Sequence, residues 1–360
     1  MAVAQCPASC GELIQGWILG SEKLVSCPVD WYSTVEVDYG SPRADERPLA
    51  RAMVDRLLSY WRYPAELGKE IRIDICSTIP VAKGMASSTA DIAATAVATA
   101  HHLGHPLDET TLARLCVSLE PTDSTLFRQL TLFDHNTAAT QIACGSQPQL
   151  DLLVLESPAT LLTTDYHRLP RLEQLHAHSA ALQQAWEKVQ LACETDNPRR
   201  MGEAATLSAV ASQHLLPKPG FDTLRGLVEE CDLYGINVAH SGSVVGLMLD
   251  RQRHDIEYLQ RRLGETRLSE LWPRQHLLRM VQGFSASGEY AGAATFLGEY
   301  APTSKRGIYC SLIPASTAIG LLAGSTLATL MAANMNSSAM VGWGWRVPFL
   351  LAGPLGLIVL

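Results

Sequence analysis

The chain predicts an α+β protein of two lobes followed by a hydrophobic helical tail. Three observations carry that expectation. Alternating polar and apolar segments come early, a helical middle follows, and strand pattern returns near residue 240; a strand, a Pro/Gly/Ser turn and a small-residue helix run together near residue 80; and composition changes abruptly after residue 282. The expected boundaries are 1–155 and 156–281 for the two lobes and 282–360 for the tail.

Taken in order, alternation predicts strands at Ala2–Cys6, Val25–Val29 and Thr34–Asp38, then a helix from about Pro48 to Tyr60. Glu70-Ile71-Arg72-Ile73-Asp74-Ile75-Cys76 alternates as a strand with one buried face would. Helices are expected from Ser87 to about Leu103 and from Asp108 to Leu119, the second ended by Pro121. Strands near Gln129–Phe133 and Leu150–Leu155 lead into helical stretches at Leu172–Cys193, Arg199–His214 and Phe221–Leu233. Strand then returns at Ile236–Ala239 and Val244–Leu249. There is no internal repeat and no low-complexity linker.

The segment Ile79-Pro80-Val81-Ala82-Lys83-Gly84-Met85-Ala86-Ser87-Ser88-Thr89-Ala90 sits between that strand and that helix. Backbone N–H groups and two hydroxyls converge there at a helix N-terminus, where the macrodipole favours anions, and Lys83 adds a cation. The pattern reads as a phosphate cradle, against the plainer alternative of a serine-capped strand–turn–helix. No G-x-x-x-x-G-K-[ST] loop is present, which disfavours a Walker-type NTPase.

Two further segments bear on the choice, Cys6-Pro7-Ala8-Ser9-Cys10-Gly11-Glu12-Leu13-Ile14-Gln15-Gly16 and Ala239-His240-Ser241-Gly242-Ser243-Val244. With the residue-80 segment, in this order, they resemble the three motifs of the GHMP small-molecule kinases. Met85 and Ala86 stand where that family usually has leucine and glycine, and no basic residue precedes Gly11. Together with Leu119-Glu120-Pro121-Thr122-Asp123-Ser124, the segments resemble the branch that phosphorylates L-threonine for cobalamin biosynthesis, over about residues 2–281. That likeness implies the two-lobed GHMP fold, with an N-terminal lobe like domain 2 of ribosomal protein S5 and an α/β C-terminal lobe. The reaction it implies is transfer of the ATP γ-phosphoryl group to the threonine hydroxyl. Homoserine kinase or another small-alcohol kinase is the nearest alternative, and a non-catalytic ATP-binding module a further one.

The same resemblance assigns roles. Pro80, Val81, Ala82, Lys83, Gly84, Met85, Ala86, Ser87, Ser88 and Thr89 would hold ATP, and Ser88 with Glu120 would bind Mg²⁺. Asp123 would sit near the acceptor hydroxyl, with Asp134 as the alternative. Asp91 would either touch the metal or cap the helix turn. Glu12, Gln15 and Asp30 would contact the substrate, because the first motif approaches it.

Composition narrows the classes further. With 47% apolar and 18% charged residues the chain is of the folding type. Residues 283–360 carry only Lys305, Arg306 and Arg346 against Glu289 and Glu299, a net +1. The chain's −8 therefore places −9 on the first 282 residues, which argues against a nucleic-acid surface. Nine cysteines at irregular spacings without a C-x-x-C pair read as reduced packing residues of a cytoplasmic protein. Met1-Ala2-Val3-Ala4-Gln5 lacks the basic and apolar regions of a signal peptide. The eleven histidines show no ligand spacing, and His240 is expected to organise backbone.

The tail reads differently. Gly307 to Trp345 contains no charged side chain, and Ile308 to about Met335 is long enough to span a bilayer, which needs roughly 20 apolar residues. Gln282 to Thr295, Glu299-Tyr300-Ala301-Pro302, Lys305-Arg306-Gly307 and Trp345-Arg346-Val347-Pro348-Phe349 resemble the middle of a major facilitator transporter of the metabolite:proton symporter type. A transporter needs its whole bundle, and two or three spans argue against transport. Insertion of 308–335 alone would keep Lys305 and Arg306 on the cytoplasmic side.

Overall fold

In the computed structural model the described residues are 1–160, 170–281 and 326. The first forty form one long hairpin, β1 (Ala2–Ile18) against β2 (Ser21–Tyr39). Leu19 and Gly20 close it with positive φ of 48° and 83°, the sense of turn that matches strand twist. Sequence alternation suggested three short strands here. The register shifts between Pro7 and Ala8, Ser9 and Glu12, and Glu12 and Ile14 explain the difference: bulges break the two-residue period without ending the strand.

β3 (Ile71–Ser77) pairs along the Ser33–Tyr39 end of β2, and β4 (Leu130–Phe133) bridges it at Leu24. β5 (Gln141–Gly145), β6 (Asp151–Glu156), β7 (Gly235–Val238), β8 (Val244–Leu249) and β9 (Arg274–Arg279) complete one nine-stranded sheet. Its order is β5-β4-β2-β1-β7-β8-β6-β9, with β3 beside β2. β1 meets β7 where Glu12 pairs with Val238, so the sheet runs unbroken from the first motif to the third. Residue 155 lies within β6, between β8 and β9.

Helices cover the sheet. α1 (Pro48–Tyr60), α2 (Ser87–Leu103) and α3 (Glu109–Val117) follow the expected segments, with Asp108 capping α3 through Thr111 N–H at 2.9 Å. The buried alanines of α2, among them Ala90, Ala93, Ala94 and Ala98, let it lie close on β1 and β2. The long stretch expected at 172–193 is two helices, α4 (Leu172–Ala177) and α5 (Ser179–Glu194). His178 ends one and begins the other, with its ring stacked on His214.

α6 (Pro198–Ser212) packs on β7 so tightly that a Cβ on Gly202 would overlap the backbone of Tyr234. α7 (Phe221–Glu230), α8 (Ile256–Glu265) and α9 (Leu268–Leu271) enclose a second core around Leu153, Leu155, Leu224, Ile236, Leu247 and Trp272. Sequence reading did not anticipate β5, α8, α9 or β9. Among the described residues no helix is long and apolar enough to cross a membrane. The hydrophobic helical tail and its expected span at 308–335 lie outside the described residues.

Candidate active site

Between β3 and α2, Ala82, Gly84 and Ala86 take the left-handed conformation, with φ of 58°, 78° and 55°. Left-handed alanine costs roughly 1 kcal/mol, so the surroundings must impose it. They do so from both sides. Ser9 N–H donates to Met85 O at 3.0 Å and Gly11 N–H to Gly84 O at 3.2 Å, while Ser243 N–H donates to Lys83 O at 2.9 Å. The first and third motifs thus clamp the second. There is no room for side chains in the clamp: a Cβ on Gly84 would meet that of Ala239, and one on Gly242 would meet Lys83 O.

Left-handed residues at every second position are the backbone geometry of an anion nest. Directly after it α2 begins at Ser87, and its N-cap residue, Ala86, has no side chain to satisfy the first-turn N–H groups. Those donors are thereby left for a ligand.

The nest opens on a cleft of about 530 Å³. Pro80, Val81, Ala82 and Gly84 to Thr89 line it, as do Glu12, Gln15, Glu120, Asp123, His135 and Ser241. Most of the expected site residues therefore meet in one place. Two do not. The Lys83 ammonium is buried away from the cleft, donating to the carbonyls of Ser157 (2.6 Å), Pro158 (3.2 Å) and Ala159 (2.8 Å), with Glu156 at 3.7 Å. It ties the loop to the end of β6; three carbonyls and a carboxylate hold the cation more firmly than an open cleft would. Asp30 lies at an exposed irregularity of β2, where Oδ1 accepts Arg279 N–H at 2.7 Å. It sits opposite the bulge between Pro7 and Ala8 and does not line the cleft.

Asp134, the alternative to Asp123, is occupied by a turn: Oδ1 accepts from Asn136 N–H (3.2 Å) and Thr137 N–H (3.0 Å). Asp91 is buried within α2, accepting from Ser33 Oγ at 2.5 Å and paired with Arg47. Neither lines the cleft.

Asp123 is held by Ser26 Oγ (3.2 Å) and Thr89 Oγ1 (3.4 Å). Reciprocal bonds between Ser26 and Ser124, each 2.9 Å, fasten this stretch to β2. Burial, with the nearby Glu12 charge, pushes the Asp123 carboxyl up to about 7. Burial also raises Glu120, whose carboxylate accepts a hydrogen bond from Ser88. The cleft thus gathers three carboxylates, and among the described residues lining it there is no lysine or arginine. No group of three or more His, Cys, Asp or Glu spaced to hold a metal occurs among the described residues. A hard cation at Ser88 and Glu120 would take the rest of its shell from phosphate oxygens and water.

Sequence reading missed Lys218 and Ser208. Lys218 is buried with Nζ on Gly242 O at 2.6 Å, and burial pulls its ammonium down to about 8 despite the opposing Glu12 charge. Neither residue stands in a motif, so nothing local marks it. The His240 ring bonds side chains and not the backbone it was expected to organise: Nδ1 meets Glu12 Oε2 and Nε2 meets Ser208 Oγ, while its backbone N–H donates to Glu12 Oε2.

Comparison with known proteins agrees with this geometry. Residues 49–127 match the GHMP kinases N-terminal domain. The fold is that of a mevalonate kinase from Methanococcus jannaschii, with a TM-score of 0.55 at 14% identity over 78% of this chain and 98% of that one. Fold and cleft together define a small-molecule kinase of the GHMP class. An L-threonine kinase from Citrobacter freundii is 76% identical over 283 residues, covering 79% of this chain and 98% of that protein. The chain therefore belongs to the L-threonine kinase family of the GHMP kinases. Its remainder is of other kinship: residues 270–360 match the sugar (and other) transporter family. A proline/betaine transporter from Escherichia coli is 39% identical over 82 residues, and the chain spans 16% of its length.

Proposed function

We infer that the chain is an ATP-dependent phosphotransferase that converts L-threonine to O-phospho-L-threonine. The observation that carries this reading is the meeting, in one cleft, of an uncapped anion nest with three carboxylates and, among the described residues, no lining lysine or arginine. Triphosphate suits the nest, and cations suit the carboxylates. The amino group of threonine and a phosphate-bound Mg²⁺ are such cations.

Amides of Gly84 to Ser88 would cradle the phosphates, and Ser88 with Glu120 would hold Mg²⁺. The threonine Oγ attacks Pγ; the Oγ–P bond forms as the bond from Pγ to the β-γ bridging oxygen breaks. ADP leaves, and the hydroxyl proton passes to Asp123, whose raised pKa suits a base working near neutrality. Residues 1–155 supply nest and carboxylates, 156–281 the clamp through Gly242 and Ser243, and 282–360 a transporter-like extension. The eight described cysteines are free, which fits a reducing compartment. We place the kinase part in the cytoplasm, with 308–335 as a membrane attachment. Alkaline extraction that leaves the full chain soluble would refute the attachment.

ADP release with Mg-ATP and a panel of L-threonine, homoserine, serine and mevalonate tests the reading. Threonine-dependent release is expected. Release with homoserine alone would reassign the acceptor, and nucleotide binding with no release from any acceptor would make the chain a binding module.

A further inference from the structure

Gln15 lines the cleft at 5% exposure, and its side-chain Oε1 is buried with no hydrogen-bond partner among the described residues. A buried acceptor without a donor is costly, and at the wall of a ligand cleft the donor it lacks is one that a ligand brings. Glu12 lines the same cleft three positions earlier on β1, 3% exposed.

A chain of hydrogen bonds fixes both residues. Gln15 N–H donates to Ser208 Oγ at 3.0 Å, Ser208 Oγ meets His240 Nε2 at 3.0 Å, and His240 Nδ1 meets Glu12 Oε2 at 3.0 Å. The Glu12 carboxylate can only accept, so Nδ1 carries the proton. Nε2 on the far side of the ring faces the Ser208 hydroxyl, whose lone pair takes Gln15 N–H. The network holds the Glu12 carboxylate and the Gln15 backbone, and the two side chains present a carboxylate and an amide carbonyl to the cleft, both acceptors. Their complement is a small cation with several N–H donors, neither a carboxylate nor a phosphate.

We propose that Glu12 and Gln15 form the ammonium subsite for an amino-acid acceptor, with Ser208 and His240 as the positioning residues that hold it. This rests on the phosphotransferase reading and names the part of the acceptor that the site selects. A site that hydrogen-bonds a charged group discriminates strongly against its absence, by about 10⁴-fold where the groups are left unpaired.

The test compares L-threonine with (R)-3-hydroxybutyrate, which lacks only the amino group, in the full chain. Turnover and calorimetric binding are read side by side. Wild type should favour threonine by at least about 100-fold in kcat/KM. Gln15→Leu should raise the KM for threonine about 10- to 100-fold, leave the KM for ATP unchanged and leave (R)-3-hydroxybutyrate within about twofold. Ser208→Ala should show the same pattern more weakly, and the isosteric Gln15→Glu should keep the preference for the amine. Equal losses on both acceptors, loss of the preference in Gln15→Glu, or a wild type indifferent to the amine would overturn the proposal. Threonine bound through Gln15 but never phosphorylated would leave the subsite standing and refute the kinase reading instead.

Discussion

Glu12 Oε2 accepts two hydrogen bonds from His240, from the backbone N–H at 2.8 Å and from Nδ1 at 3.0 Å. One carboxylate oxygen thereby joins the first motif to the third across the β1–β7 boundary, with Lys218 holding the neighbouring Gly242 carbonyl from behind. His240→Ala should remove one of the two bonds to the carboxylate and leave Ser208 Oγ with Gln15 N–H alone. We expect kcat/KM for threonine to fall about 10- to 100-fold, in line with loss of a bond to a charged group. Steady-state kinetics with acceptor and ATP varied separately would show the loss on the acceptor side; a loss confined to ATP would contradict the assignment.

The pH dependence follows from Asp123. Its carboxyl is raised to about 7, so in the free enzyme it takes up a proton as pH falls through neutrality and kcat/KM should decline on that side. Asp123→Asn should lower kcat by about 10²- to 10⁴-fold. Stability has the opposite sense. A carboxyl raised in the folded state contributes fully at acid pH and loses that contribution as pH rises through about 7. Thermal unfolding at pH 8 without ligands should therefore show Asp123→Asn melting above wild type, and a lower Tm would count against a buried, strained carboxylate.

Lys83 separates two roles by what its loss does. As the clamp on the carbonyls of 157–159, its replacement by methionine should cost about 1–3 kcal/mol of stability. The KM for ATP should stay within about threefold. A tenfold rise in that KM at unchanged Tm would return Lys83 to the phosphates.

Gly242 tests the clamp itself. A methyl group there overlaps Lys83 O and the backbone of Gly84. Gly242→Ala should push the loop out of its left-handed path, destabilise the chain by about 1–3 kcal/mol and weaken Mg-ATP binding. Calorimetry showing wild-type ATP affinity would mean that the nest does not depend on the third motif.

Legibility in the sequence followed the range of the forces involved. The α2 segment and its loop were plain because Pro80, Gly84, Ser87 and Ser88 report local backbone needs. The long β1–β2 hairpin read as fragments, because bulges around Ser9 and Glu12 shift the alternation while pairing continues. β9, with Arg274, Gln275 and His276, carries too little apolar alternation to be seen as the sheet edge that it is. In the site, Glu12, Gln15, Ser88, Glu120 and Asp123 were found through motif likeness, and the cleft brings them together. Ser208 and Lys218 were invisible, since α6 and the loop after it meet Gln15 and Gly242 of the motifs only through the fold. Lys83 misled because a cation beside a phosphate loop suits either neighbour, and only packing against residues 157–159 decides.

The most direct measurement is the identity of the product formed by the full chain with Mg-ATP and L-threonine, read by phosphorus NMR. A phosphate ester on the threonine hydroxyl is expected, formed in step with ADP and absent without the amino acid. Inorganic phosphate as the sole product, or ester formed on homoserine and not on threonine, would contradict it.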